Sequence, residues 1–184
     1  MEAAFSAFPG SEFEVTWAPF QLMEDAPTMS KLDGYRKFMG DEAKIRGYWT
    51  RLETEGSQTG INFEFDGQMG DTFEAHQLAE WALETKGPVM QDKLVEAQFS
   101  EYMEIGAPPS DRASLLRAVE KVGLDPNEAK KVLENGQYAQ KTKDRIGSVR
   151  GKVQGVPHFY INGKDAGSGA MPTEEWVGKL RRVA

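Results

Sequence analysis

Gly155-Val156-Pro157-His158-Phe159-Tyr160-Ile161-Asn162-Gly163-Lys164 holds more structural instruction than any other ten residues of the chain. His158 to Ile161 is a short run of strand formers. Asn162-Gly163 is the dipeptide that suits both left-handed positions of a type I′ turn, and Lys164 to Ser168 returns as the partner strand. Downstream, Thr173 is placed to cap a last helix with Glu174 and Glu175 in its first turn, and Lys179, Arg181 and Arg182 close it. Both ends therefore suit the helix dipole.

Upstream of the hairpin the period changes from two to between three and four. Asp41 caps a helix running to about Glu55, with Gly56 beyond its end. Ile61 to Phe65 alternates, and Asp66-Gly67 to Gly70 forms a turn. Asp71 is placed to cap a helix whose apolar face is Ala75, Leu78, Ala79, Ala82 and Leu83. Pro88 suits a first helical position, and Met90, Leu94, Val95, Phe99, Tyr102 and Met103 form the expected inner face of the helix that follows. Ala107-Pro108-Pro109-Ser110 connects to two further helices, Asp111 to Val122 and Pro126 to Asn135, closed by Gly123 and Gly136. The second opens with a capping pair, Asp125 and Glu128. A stretch from Tyr138 to about Val149 completes the helical block.

At the other end, Glu12 to Trp17 reads as a strand with Phe13, Val15 and Trp17 on one face. Glu2 to Phe8 reads as the last turns of a helix stopped by Pro9-Gly10. Ala18 to Ser30 has two prolines and no clean period, as a loop would. Helix, strand, helical block, hairpin and helix in that order define an α/β protein with a large helical insertion.

Composition sets what the chain does not do. Its 184 residues are 39% hydrophobic and 28% charged, ordinary for one globular domain. A formal net charge of −7 leaves no basic footprint for nucleic acid and disfavours an anionic membrane surface. No run approaches the ~20 apolar residues of a membrane span. The opening Met-Glu-Ala-Ala-Phe has neither the basic start nor the apolar run of a secretory signal, so a cytoplasmic location is expected. Cysteine is absent, which excludes disulfides, thiolate metal sites and thiol nucleophiles together. The two histidines, His76 and His158, are isolated from any ligand set, so neither a metal nor a cofactor is expected.

Three motifs carry a resemblance. Gly155 to Lys164, followed by Ser168-Gly169-Ala170, resembles the cis-proline strand, hairpin and C-terminal motif of DsbA-like thiol–disulfide oxidoreductases. Trp17-Ala18-Pro19-Phe20-Gln21-Leu22 resembles the second strand and following loop of their FrnE-type subgroup. Thr72-Phe73-Glu74-Ala75-His76-Gln77-Leu78 is similar to that subgroup's first long insertion helix. The likeness runs from about Phe13 to Leu180. It implies a thioredoxin-like fold, with residues 1–30 and 137–184 as the thioredoxin-like part and 31–136 as a helical insertion, all in one domain.

The resemblance also implies a site and exposes a gap. In that family Val156 and Pro157 would bind an extended protein or peptide thiol or disulfide substrate, with Pro157 cis and with His158 and Trp17 as possible groove residues. The family opens with a strand, a Cys-x-x-Cys turn and a helix, whose N-terminus lowers the thiolate pKa. Met1 to Phe8 would be the end of that helix, leaving roughly 20–25 residues, including the central first strand and the cysteines, unmatched. The chain is then expected to be inactive in thiol exchange as it stands. A start at an internal methionine, a natural short form and a pseudo-enzyme would each account for this. A glutathione-dependent isomerase or transferase of the kappa type, and a non-catalytic interaction domain using the cis-proline groove, are the alternative functions. Without a central strand, marginal stability and self-association through exposed strands are expected.

Overall fold

The computed structural model describes residues 1–183. Its elements in chain order are α1 (Glu2–Phe5), β1 (Met29–Ser30), α2 (Lys31–Met39), α3 (Glu42–Ser57), β2 (Gln68–Met69), α4 (Phe73–Lys86), α5 (Pro88–Met103), α6 (Arg112–Lys121), α7 (Pro126–Asn135), α8 (Ala139–Arg150), β3 (His158–Ile161), β4 (Lys164–Ser168) and α9 (Thr173–Leu180). It is an α/β fold that is mostly helical, with a helical insertion between the two ends of the chain.

Several helices begin where a side chain satisfies one or more of their first N–H groups. Asp41 accepts from Ala43 N, Asp111 from Ala113 and Ser114 N, and Asp125 from Asn127 N. Gly136 closes α7 in the left-handed region. The stripes of α4, α5, α6 and α7 then meet in one core around Leu78, Trp81, Leu94, Val119 and Leu133. Leu78 and Leu94 are fully buried, and each such side chain contributes about 1.5–3 kcal/mol relative to an exposed one.

A second, smaller core gathers the chain ends. Ala4, Trp176 and Leu180 are buried there, with Phe5, Phe8, Phe159 and Ile161 packed on them. Trp176 meets Phe159 edge to face at 4.6 Å. Thus α1, β3 and α9 share one apolar centre, although they lie at opposite ends of the sequence.

Polar contacts link α8, which leads to the hairpin, to the rest. The Arg145 guanidinium Nη1 donates to both oxygens of Glu80, at 2.7 and 2.8 Å, and Glu80 is 1% exposed. Arg150 donates to Glu24 and to the Gln21 carbonyl, and the Gln21 amide donates to Asp71 before α4. The loop after Trp17 is therefore held between the start of α4 and the end of α8.

Four details depart from the sequence reading. Residues 11–20 form no strand; among the described residues the sheets are β1–β2 and β3–β4, each a two-stranded antiparallel pair. Strand pairing is a non-local property, and no segment among the described residues lies alongside Glu12–Trp17 to complete a ladder. Phe13 instead stacks on Phe5 at 4.1 Å and stays 37% exposed. Phe99, placed on the inner face of α5, is exposed and packs edge to face on Trp17 at 5.6 Å. Gly56 lies inside α3, not beyond it. Thr173 is the first helical residue of α9, and Pro172 takes the cap position without a side-chain bond.

Candidate functional site

The Asn162-Gly163 turn, with φ of 49° and 75°, folds β4 back on β3. The ladder pairs Ile161 with Lys164 and Tyr160 with Asp165, then shifts so that Phe159 faces Gly167 and His158 faces Ser168. Ala166 is the extra residue of this bulge. Without it, His158 would lie opposite Gly167. The bulge brings a hydroxyl to the imidazole.

Alternation along β3 separates two roles. Phe159 and Ile161 turn into the small core with Trp176. His158 and Tyr160 turn the other way, their rings 5.0 Å apart. His158 Nδ1 lies 2.6 Å from Ser168 Oγ, and Nε2 lies 3.2 Å from Asp165 Oδ2. A carboxylate oxygen only accepts here, so Nε2 is the donor to Asp165. Asp165 Oδ1 also accepts from Gly167 N at 2.7 Å. Serine, imidazole and carboxylate thus form a chain of hydrogen bonds that clasps β4 to β3.

Immediately before the clasp the Val156–Pro157 peptide bond is cis. Gly169 N donates to the Pro157 carbonyl at 2.8 Å, which extends the hairpin contact past β4. Val156 is 45% and Tyr160 48% exposed. Since β3 pairs with β4 alone among the described residues, its other edge presents unpaired N–H and C=O groups.

Trp17 lies elsewhere. Its backbone N–H donates to Gln91 Oε1 at 2.9 Å, and the Gln91 amide donates to the Trp17 carbonyl at 3.0 Å. Gln91 is fully buried, and its carboxamide does for Trp17 what a neighbouring strand would do. The indole Nε1 donates to Asp92 at 2.7 Å. Trp17 is thereby fixed to α5. Among the described residues, no hydrogen bond or ring contact joins it to Val156, Pro157 or His158. Val156, Pro157 and His158 come together; Trp17 does not join them through such a contact.

Asp165 and Ser168 were not legible as partners of His158. The Asn-Gly turn sets a register from sequence, but the bulge that corrects it leaves no clear signal. Among the described residues no group of three or more His, Cys, Asp or Glu is arranged to hold a metal ion, and no helix is long and apolar enough to cross a membrane.

The hairpin, the C-terminal helix that backs it and the helical insertion make this an α/β protein with a large helical insertion. The model of the DSBA-like thioredoxin domain matches residues 1–181, and the chain belongs to that family. A solved structure of a probable DsbA oxidoreductase from Streptomyces coelicolor is similar to it, with a TM-score of 0.78 and 21% identity, over 98% of this chain and 80% of that one. At that identity the likeness concerns the fold. No curated protein matches the chain.

Proposed function

We propose that this chain is a FrnE-type member of the DSBA-like family whose Val156–Pro157 edge receives an extended protein or peptide segment, and that it carries out no thiol–disulfide exchange as it stands. The observation that carries the binding half is the free edge of β3, which opens at a cis proline with Val156 and Tyr160 exposed beside it. An extended peptide added to such an edge gains main-chain hydrogen bonds, and neighbouring side-chain sites provide selectivity. The His158–Ser168–Asp165 clasp supports the same reading, because it ties β3 to β4 next to the proline. The absence of any cysteine carries the other half: the attacking species in thiol exchange is a thiolate, and the chain has none.

Two assays test the two halves. Insulin reduction with dithiothreitol should proceed at the rate of the protein-free control, and a clear rate above it would contradict the second half. A labelled, reduced and carboxymethylated insulin B chain should bind, by fluorescence anisotropy, with an affinity that falls about tenfold in Val156→Asp. Undiminished binding in that variant would place the peptide elsewhere and overturn the first half.

A further inference from the structure

Between α2, α3 and the segment 63–65 lies a cavity of about 180 Å³, walled by Tyr35, Tyr48, Phe63, Phe65 and Tyr102, with Lys31 among its lining residues. Lys31 is 3% exposed. Its ammonium donates to the carbonyls of Glu64, at 2.5 Å, and Tyr102, at 2.7 Å, and lies 4.6 Å from the centre of the Tyr102 ring. Those contacts engage two of its three N–H donors.

Among the described residues no carboxylate pairs with Lys31 within 4 Å, whereas buried charges are ordinarily paired. Burial lowers the Lys31 pKa, and the nearby Glu64 carboxylate raises it in part. Two carbonyl acceptors and an aromatic face stabilise the charged form without neutralising it. The Tyr35 phenol, pushed up to about 12 chiefly by burial and further by Tyr102 and Tyr48, keeps its proton and stays a donor.

Size and wall chemistry narrow the ligand. A cavity of about 150 Å³ holds a benzene molecule, so this one admits a single ring with a small substituent. Glu64 is the one carboxylate on the wall, and its Oε1 accepts from Asp66 N at 2.6 Å. Its charge opposes each further negative charge brought into the cavity, so one carboxylate on the ligand is disfavoured less than two.

We propose that this cavity is a binding site for a monocyclic aromatic monocarboxylate, with the carboxylate on Lys31 Nζ and the ring against the Phe63, Phe65 and tyrosine faces. It is independent of the β3 edge and of thiol chemistry. The probe is benzoate, titrated into the full chain and followed through the methyl resonances of Leu52 and Met103, which also line the cavity. Benzyl alcohol serves as the neutral control. Benzoate should saturate at millimolar concentration or below and bind about tenfold more tightly than benzyl alcohol. Leu52→Trp, which fills the space, should abolish binding. Equal affinity for the two probes, no saturable shift of these methyls, or binding retained in Leu52→Trp would each overturn the proposal; the first two use the unmodified chain, so they do not depend on a variant that folds.

Discussion

Two histidines show how the same side chain takes different work from its surroundings. His158 bridges two strands, and His158→Phe would remove both of its hydrogen bonds while keeping a ring of similar shape. Each such bond contributes about 0.5–1.5 kcal/mol, so urea unfolding should show a loss of about 1–3 kcal/mol for the two. Ser168→Ala should lose about half as much, and no change in either variant would mean the clasp is not formed in solution. His76 lies against the Phe20 carbonyl, 3.3 Å from its Nε2. Burial lowers its pKa, although that carbonyl and Asp71 favour the protonated form. Folding therefore prefers neutral His76. Its contribution is fully present above about pH 6.5, the ordinary imidazole value, and is lost as pH falls toward the lowered folded value. Urea midpoints measured from pH 7.5 to 5 should fall less steeply in His76→Gln than in the parent chain; parallel slopes would contradict this.

Among the elements, close approach of backbone is the sharpest constraint. A Cβ built on Gly67 would lie 2.4 Å from both the Cα and the carbonyl oxygen of Gly106, and that oxygen already accepts from Gln68 N. Backbone cannot rotate aside as a side chain would. Gly67→Ala should cost about 1–3 kcal/mol, the range for overpacking, read as a lower urea midpoint with unchanged slope. The helices were largely legible because their signals are local: Asp41, Asp111 and Asp125 sit one residue before the turns they cap, and Gly123 and Gly136 stop the chain where they stand. The Asn162-Gly163 hairpin was legible for the same reason. The Glu12–Trp17 strand was not, since its alternating pattern states which face could be buried but not whether a partner strand lies beside it. Phe99 misled in a related way, because its spacing fits the α5 stripe while Trp17 holds it at the surface. The site was half legible: Val156, Pro157 and His158 are contiguous in sequence, but Ser168 reaches His158 only through the bulge at Ala166.

In the whole molecule, stability is divided unevenly. The α4–α7 core is large and closed, whereas the smaller core under β3 and α9 depends on residues from both chain ends. Native-state hydrogen exchange should therefore show the amides of α4 and α5 protected to a higher free energy than those of β3, β4 and α9. Uniform protection would contradict the division. A two-stranded sheet with a free edge is marginal on its own, so melting is expected below about 60 °C, at or under the upper part of the ordinary range. The same edge offers itself to a second copy, and gel filtration should show an apparent mass that rises with concentration. Amide chemical shifts report on β3 as a receiving edge residue by residue. On titrating the reduced, carboxymethylated insulin B chain into the 15N-labelled full chain, the largest shifts should run from Val156 through Ile161, Pro157 aside because it has no amide proton. Shifts confined to the α4–α7 block, with the β3 amides unmoved, would contradict it.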